Sequence, residues 1–473
     1  MNRIIQGDCL EVMKTLPDNS VDSFVSDPPA GIAFMGKKWD TDKGGRKQWC
    51  AYMEERFAEA LRLCKPGAYG LVWALPRTSH WTATALEDAG WEVKDCIVHL
   101  FGSGFPKSMN IGKAIDKMKG CNREVVGTQK LGGTAVTMSG GNYGGGGNCS
   151  SPKSEINITA PASPEAKQWD GFGTSLKPSS EHWILVRKPI EGTIAANVLE
   201  HGTGGLNIDG CRVETSDKLG GGAEKPTTSS RFAIAGFDRP WIHDQEMLDA
   251  SAERIRANVA KSEALGRFPA NTVLSHSHDC DDAGCADGCP VKTLDGQWGH
   301  SVTGKRSEKS RTADVAGTQW GNSNHKSVEY TDSGGASRYF PNFHYYPKAS
   351  QKDRTCGGKA ENNHPTVKNR ELMKWLCRLV TPPGGTVLDC FAGSGSTAIA
   401  CLEEGFNYIL IEQDAESVKT ANDRVAAWKT EHQPEPTLEQ RVEWLETKVS
   451  TIDHRSKKTA AIVGQLSLFE VAS

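Results

Sequence analysis

The strongest constraint on this chain is Ser26-Asp27-Pro28-Pro29-Ala30, entered directly from the apolar run Val21-Asp22-Ser23-Phe24-Val25. An apolar strand that ends on a carboxylate followed by two prolines places that carboxylate, and the carbonyl after it, at the carboxyl edge of a sheet. In open α/β sheets that edge is where ligands sit. The prolines fix φ and remove two backbone donors, so the loop presents acceptors in a stiff arrangement. Two stiff acceptors suit a substrate amino group.

The flanking pattern supplies the sheet. Arg3 to Gln6 reads as a short strand broken at Gly7-Asp8, and Cys9 to Leu16 has helical spacing. Asp8, just past a strand end, can accept from a ligand or cap the next helix. Ala51 to Cys64 reads as a helix closed by Lys65-Pro66-Gly67. Tyr69 to Leu75 is a strand, Thr78 to Ala89 a helix, and Trp91 to Leu100 a strand. Such alternation predicts a doubly wound α/β domain.

The regularity stops after Gly102-Ser103-Gly104-Phe105-Pro106 and returns near His364. The run 132–147 holds eight glycines in sixteen residues and predicts a loop. Between about 110 and 360 the chain reads as an irregular, partly extended insertion, with one core strand at 181–188. Basic charge gathers there: residues 301–380 carry 14 Lys/Arg against 7 Asp/Glu, although the whole chain has 55 against 58. That pattern fits a surface meeting phosphates or, more plainly, solvated loops. No apolar run approaches the length of a membrane span, so a soluble cytoplasmic protein is expected, with its 14 cysteines reduced.

One cysteine group stands apart: His276-x-His278-x-Cys280-x4-Cys285-x3-Cys289. Four of these five can make a tetrahedral zinc site that gives a loop-rich segment a core, or they are unmetallated loop thiols. Tyr339 to Tyr346, the most aromatic run, either stacks on a ligand or leads a strand back to the core.

In the last third, a helix from Arg370 to Val380 precedes a strand over Thr386 to Asp389. The turn Cys390-Phe391-Ala392-Gly393-Ser394-Gly395, a helix to Glu404 and a strand ending at Glu412 follow. Small residues let backbone N–H groups approach a ligand, and a carboxylate ending the next strand can bind a ribose diol.

Asp-Pro-Pro combined with Asp389-x-Phe391-x-Gly393-x-Gly395 resembles the N6-adenine and N4-cytosine amino DNA methyltransferases. The order of catalytic loop, insertion and cofactor turn is similar to their beta-type permutation, and residues 102–106, 201–212 and 334–340 look like phage and prophage members. The resemblance implies a Rossmann-like methyltransferase sheet with a large insertion serving target recognition. It divides the chain into a catalytic half (1–110), the insertion (111–360), a cofactor half (361–430) and a C-terminal helix and tail (431–473).

By the same resemblance, Asp27, Pro28 and Pro29 form the catalytic loop. Asp389, Phe391, Gly393 and Gly395 line S-adenosylmethionine, Glu412 takes its ribose and Asp8 its adenine. Thr366 and Lys368, in a segment similar to the family's His-Pro-Thr-x-Lys, lie near its methionine end. The family carries an aromatic at the fourth loop position, where Ala30 stands, so Phe34 or Trp39 is expected to supply the stacking face. Asp before Pro-Pro favours adenine N6 over cytosine N4, with base flipping from duplex DNA. A catalytically inactive DNA-binding relative and an RNA or protein amide methyltransferase are the other readings. Gln465-Leu466-Ser467-Leu468-Phe469 looks like a bacterial sliding-clamp binding peptide, or a short apolar tail docked on its own domain.

Overall fold

The computed structural model describes residues 2–102, 108–130, 155–215, 217, 245–277, 280, 284–302, 333–344, 355, 362 and 367–432. Thr366, His278, the glycine-rich run 132–147 and residues 433–473, with the expected C-terminal helix and the tail carrying Gln465, Leu466, Leu468 and Phe469, lie outside the described residues.

In chain order the elements are β1 (Asn2–Gln6), α1 (Cys9–Lys14), β2 (Val21–Ser26), α2 (Arg46–Leu63), β3 (Cys64–Ala74), α3 (Ser79–Asp88) and β4 (Glu92–Leu100). The insertion carries α4 (Ile111–Met118), β5 (Val125–Lys130), β6 (Glu155–Thr159), α5 (Pro164–Gln168), β7 (Ser180–Arg187), α6 (Ile194–His201) and α7 (Gln245–Leu265). It continues through β8 (Thr272–His276), α8 (Pro290–Trp298), β9 (Ser301–Val302), β10 (Ser333–Gly334) and β11 (Asn342–His344). Then come α9 (Arg370–Val380), β12 (Thr386–Asp389), α10 (Ser396–Glu404), β13 (Asn407–Glu412) and α11 (Ala415–Glu431).

Nine strands form one sheet in the order β1-β13-β12-β2-β3-β7-β4-β8-β11. β7 runs antiparallel to both its neighbours, β3 and β4, while the other pairings are parallel. Side chains alternate between two buried faces, as the pleat requires. Phe24, Ile184 and Val186 face a core with Trp49, Met53, Phe57 and Leu86 from α2 and α3. Val25, Trp183 and Leu185 face a second core with Leu372, Leu376, Ile399 and Val425 from α9, α10 and α11. A doubly wound sheet is therefore the observed architecture.

Three expectations are corrected. Lys65-Pro66-Gly67 does not close a helix but lies inside β3. The missing Pro66 donor falls where the β2–β3 register shifts between Val21 and Ser23, so no ladder bond is lost there. α2 starts at Arg46 rather than Ala51. The insertion is not simply irregular, because β8 and β11 join the central sheet in addition to the expected core strand, observed as β7, and α7 runs for 21 residues. β8 and β11 are too short to show a period, and α7 is so polar that no apolar stripe announces it. Among the described residues no helix is long and apolar enough to cross a membrane.

Candidate active site

Because β7 is reversed, its first residues share an edge with the last residues of its antiparallel neighbours β3 and β4. Along that edge lie Asp8 after β1, Glu412 closing β13, Asp389 closing β12, Asp27 after β2, Trp73 near the end of β3 and Glu181 near the start of β7. Residues far apart in sequence thus share one edge of the sheet.

Asp27 follows β2, whose residues are all buried. Lys368 Nζ lies 3.2 Å from its Oδ2. The same ammonium sits 4.0 Å from the Trp73 ring centroid and 5.9 Å from that of Trp183, its cross-strand partner. Burial raises the Asp27 carboxyl to about 6, with Lys368 opposing the rise and Glu181 adding to it. Burial alone would also raise Glu181, but Lys368, His99 and Trp73 outweigh it and hold Glu181 at about 2. The lysine therefore supports two carboxylates, one of them only weakly.

The loop after Pro29 is shaped by residues that the sequence reading passed over. Asp40 is buried, and its two carboxylate oxygens accept from Gly31 N–H at 2.9 Å and Phe34 N–H at 2.8 Å. Thr78 Oγ1 donates to the Ala30 carbonyl at 2.9 Å. Gly31 has φ +71° and lies against the Trp49 indole, where a Cβ would fall 2.7 Å from Nε1. With the loop held from inside, Phe34 is half-buried and Trp39 projects outward, 45% exposed. An acidic residue spaced nine positions from a glycine was the only visible hint.

On the adjacent strand β12, Asp389 is 3% exposed. It accepts from Ser26 Oγ at 2.6 Å, Thr397 Oγ1 at 2.6 Å and Phe391 N–H at 3.1 Å. Its carboxylate braces the turn from within the protein. Gly393 and Gly395 both have positive φ, +50° and +76°. Ala421 stands so close to Gly395 that a Cβ would approach its own to 2.9 Å. Arg424, buried on α11, donates to the Ser394 carbonyl at 2.5 Å and holds the turn from below. Glu412 accepts from Gly393 N–H at 2.8 Å and Asp414 N–H at 2.9 Å, which orients its carboxylate over the turn.

Asp8 caps α1, accepting from Leu10 N–H at 3.0 Å, and its other oxygen lies 3.6 Å from Arg56. Gly7 N–H donates to the Glu412 carbonyl at 3.0 Å, so Asp8 and Glu412 flank one corner of the site. Phe391 packs against the first core. Small-residue turn, oriented carboxylate and aromatic together fit a nucleoside bearing a ribose diol.

A nucleoside corner beside a buried carboxylate is an arrangement that methyl transfer to an exocyclic amino group can use. Residues 292–423 match the N6/N4 DNA methylase family model. That match includes Lys368, Asp389, Gly393, Gly395 and Glu412. The chain is similar to the type II methyltransferase M1.MboII of Moraxella bovis, with 34% identity over 18% of this chain and 36% of that protein. It is also similar to the type II methyltransferase M.BglI of Bacillus subtilis, with 46% identity over 11% of this chain and 16% of that protein. These matches span well under half of the relatives' own length. Among solved structures, the M1.HpyAVI complex with S-adenosylmethionine aligns with TM-score 0.36 and 15% identity, covering 90% of this chain and 99% of that one.

Proposed function

We propose that the chain transfers a methyl group from S-adenosylmethionine to an exocyclic amino nitrogen of a base in duplex DNA, with adenine N6 as the preferred target. The observation that carries this reading is Asp27 with Lys368 on one oxygen, one strand away from the glycine turn.

The amine to be methylated has its lone pair delocalised into the ring and is a poor nucleophile. Asp27 accepts one of its protons through the oxygen that Lys368 leaves open, and the Pro28 carbonyl accepts the other. Both bonds favour a more pyramidal nitrogen, whose lone pair then points toward the donor. Lys368 keeps Asp27 ionised despite burial and fixes its plane. Glu412 takes the ribose diol, Gly393 and Gly395 admit the donor's backbone-facing side, and Phe391 and Asp8 border its adenine. S-adenosylmethionine supplies the electrophilic sulfonium methyl when bound. Catalysis rests on in-line positioning and fixed charge, and no covalent enzyme intermediate is needed.

A stacked base cannot reach this site, so the target is flipped, and Trp39 offers an exposed indole for the vacated or extruded base. Asp rather than Ser before Pro-Pro favours adenine, and N4-cytosine transfer is the second reading. Duplex DNA methylated with labelled donor and digested to nucleosides tests both by mass spectrometry. N6-methyladenine is expected. N4-methylcytosine alone would move the target to cytosine, and label appearing in RNA or protein but never in DNA would overturn the reading.

A further inference from the structure

Farther along the same sheet edge, four side chains converge that the methyl-transfer chemistry does not use. His276 ends β8, Cys289 immediately precedes α8, and Cys280 and Cys285 lie on the connection between them. One ligand atom from each lies within 4.8 Å of all the others. His276 Nδ1 is 3.2 Å from Cys285 Sγ and 3.7 Å from Cys289 Sγ. A tetrahedral ion with Zn–S about 2.3 Å and Zn–N about 2.0 Å places its ligand atoms roughly 3.5–3.8 Å apart. The cluster is therefore already close to the spacing of a first coordination sphere.

The surroundings suit a metal better than free thiols. Ala286 N–H donates to Cys280 Sγ at 3.3 Å, the kind of amide bond that supports a thiolate ligand. The local core is small: its buried members are Leu274, Cys280, Cys289 and Val291, so half of it is ligand. Such a segment lacks the apolar area to hold itself together, which is the usual setting of a structural metal. Three sulfurs and one imidazole select a soft or borderline ion over magnesium or calcium.

We propose that His276, Cys280, Cys285 and Cys289 bind one zinc ion as a closed structural site that fastens α8 to the β8 edge of the sheet. Four protein ligands leave no open position, so the ion is not catalytic. Its effect passes through α8. Gly102, just after β4, lies so close to Pro290 that a Cβ would fall 2.6 Å from Cγ. Asp295 accepts from Ser337 N–H at 2.7 Å and from Ser337 Oγ at 2.6 Å. One ion would thus hold together the ends of β4 and β8 and the segment leading to β11. The fifth candidate, His278, is not needed.

The test uses the full chain, expressed with zinc in the medium and purified under reducing conditions without chelator. Elemental analysis is expected to give about one zinc per chain. Cys280→Ser and Cys289→Ser lose it, whereas His278→Ala and Cys121→Ser keep it. Since the serine variants can misfold, the wild type is also exchanged with cobalt. Tetrahedral visible bands with a thiolate charge-transfer band in the near ultraviolet are expected, and His276→Cys should retain the ion with altered bands. Zinc well below one per chain with all thiols freely reactive in the native protein would overturn the site, as would zinc that survives in both serine variants. None of these readouts depends on methyl transfer.

Discussion

Ser26 Oγ donates a 2.6 Å hydrogen bond to Asp389 Oδ1, joining the residue before the Asp27 carboxylate to the residue that opens the glycine turn. Both groups are buried. A displacement of the turn therefore reaches Asp27 through one covalent bond and one hydrogen bond. Ser26→Ala leaves a buried carboxylate short of a donor, and the expected loss is about 1–3 kcal/mol of stability. Asp389→Ala removes the acceptor of three donors and should weaken S-adenosylmethionine binding as well. Thermal denaturation with calorimetric titration checks both, and undiminished melting in Ser26→Ala would show that the brace is dispensable.

Asp27 titrates near 6 because burial raises it against the pull of Lys368. Its acceptor role needs the ionised form, so kcat should fall with unit slope as the pH drops below about 6. Lys368→Met removes the opposing cation and should move that midpoint up by roughly one to three pH units. The stability consequence has the opposite sense. A carboxyl raised by folding favours the protonated native state, so its contribution is full below the ordinary value of 3.8 and is lost as pH rises through about 6. An acid limb unchanged in Lys368→Met would separate it from Asp27.

Trp39→Ala and Phe34→Ala should lower methyl transfer far more than S-adenosylmethionine affinity if either ring serves the flipped base. The structure sharpens this expectation toward Trp39, the exposed ring. Loss of a base–aromatic stack is worth about 1–3 kcal/mol, or roughly a tenfold to hundredfold effect. Steady-state kinetics beside donor titration read it, and full turnover in both variants would remove the stacking role from this loop.

Asp40→Ala strips two backbone N–H groups of their acceptor and should loosen the loop between Gly31 and Phe34. Transfer is expected to drop at unchanged donor affinity. Asp40→Asn, which keeps one acceptor oxygen, should recover part of it. Equal losses in donor binding and transfer would instead point to general unfolding.

Gly395→Ala places a methyl group where φ is +76° and Ala421 stands 2.9 Å away. Strain of about 1–3 kcal/mol is expected, with weaker donor binding. Glu412→Ala should raise the donor Kd by roughly ten- to a hundredfold, since bonds to a charged acceptor are worth about 1.5–3 kcal/mol. Titration calorimetry reads the loss of binding, and thermal denaturation should show earlier melting in both variants, since Glu412→Ala strips Gly393 and Asp414 N–H of their acceptor.

Much of the fold was legible where periodicity and punctuation agree. Arg370–Val380 and Thr386–Asp389 have the bounds read from their residues, because an amphipathic stripe, Pro382-Pro383-Gly384-Gly385 and a glycine turn delimit them. β8 was hidden because a five-residue strand has no period of its own, whereas β11 falls in the aromatic run for which a strand back to the core was one of two readings. Within the site, Asp27, Lys368, Gly393, Gly395 and Glu412 carry local signatures. Trp73, Glu181, Asp40 and Arg424 do not, since each matters through partners on other elements. For Asp389 the sequence shows the position beside the turn, not the three internal donors that hold its carboxylate.

The pairing of β12 with β2 has a consequence for how the chain is made. Val387 lies beside Ser23 and Leu388 beside Phe24, although more than 350 residues separate the partners. At ordinary translation speeds of about 5–20 residues per second, β2 emerges roughly 20–70 s before the strand that covers its flank. During that interval a buried-type apolar strand is exposed on one edge, with its only possible companions in β3 and the helices already made. Nascent or truncated chains that stop short of β12 should accordingly be the aggregation-prone form of this protein, and the ones that depend on a chaperone.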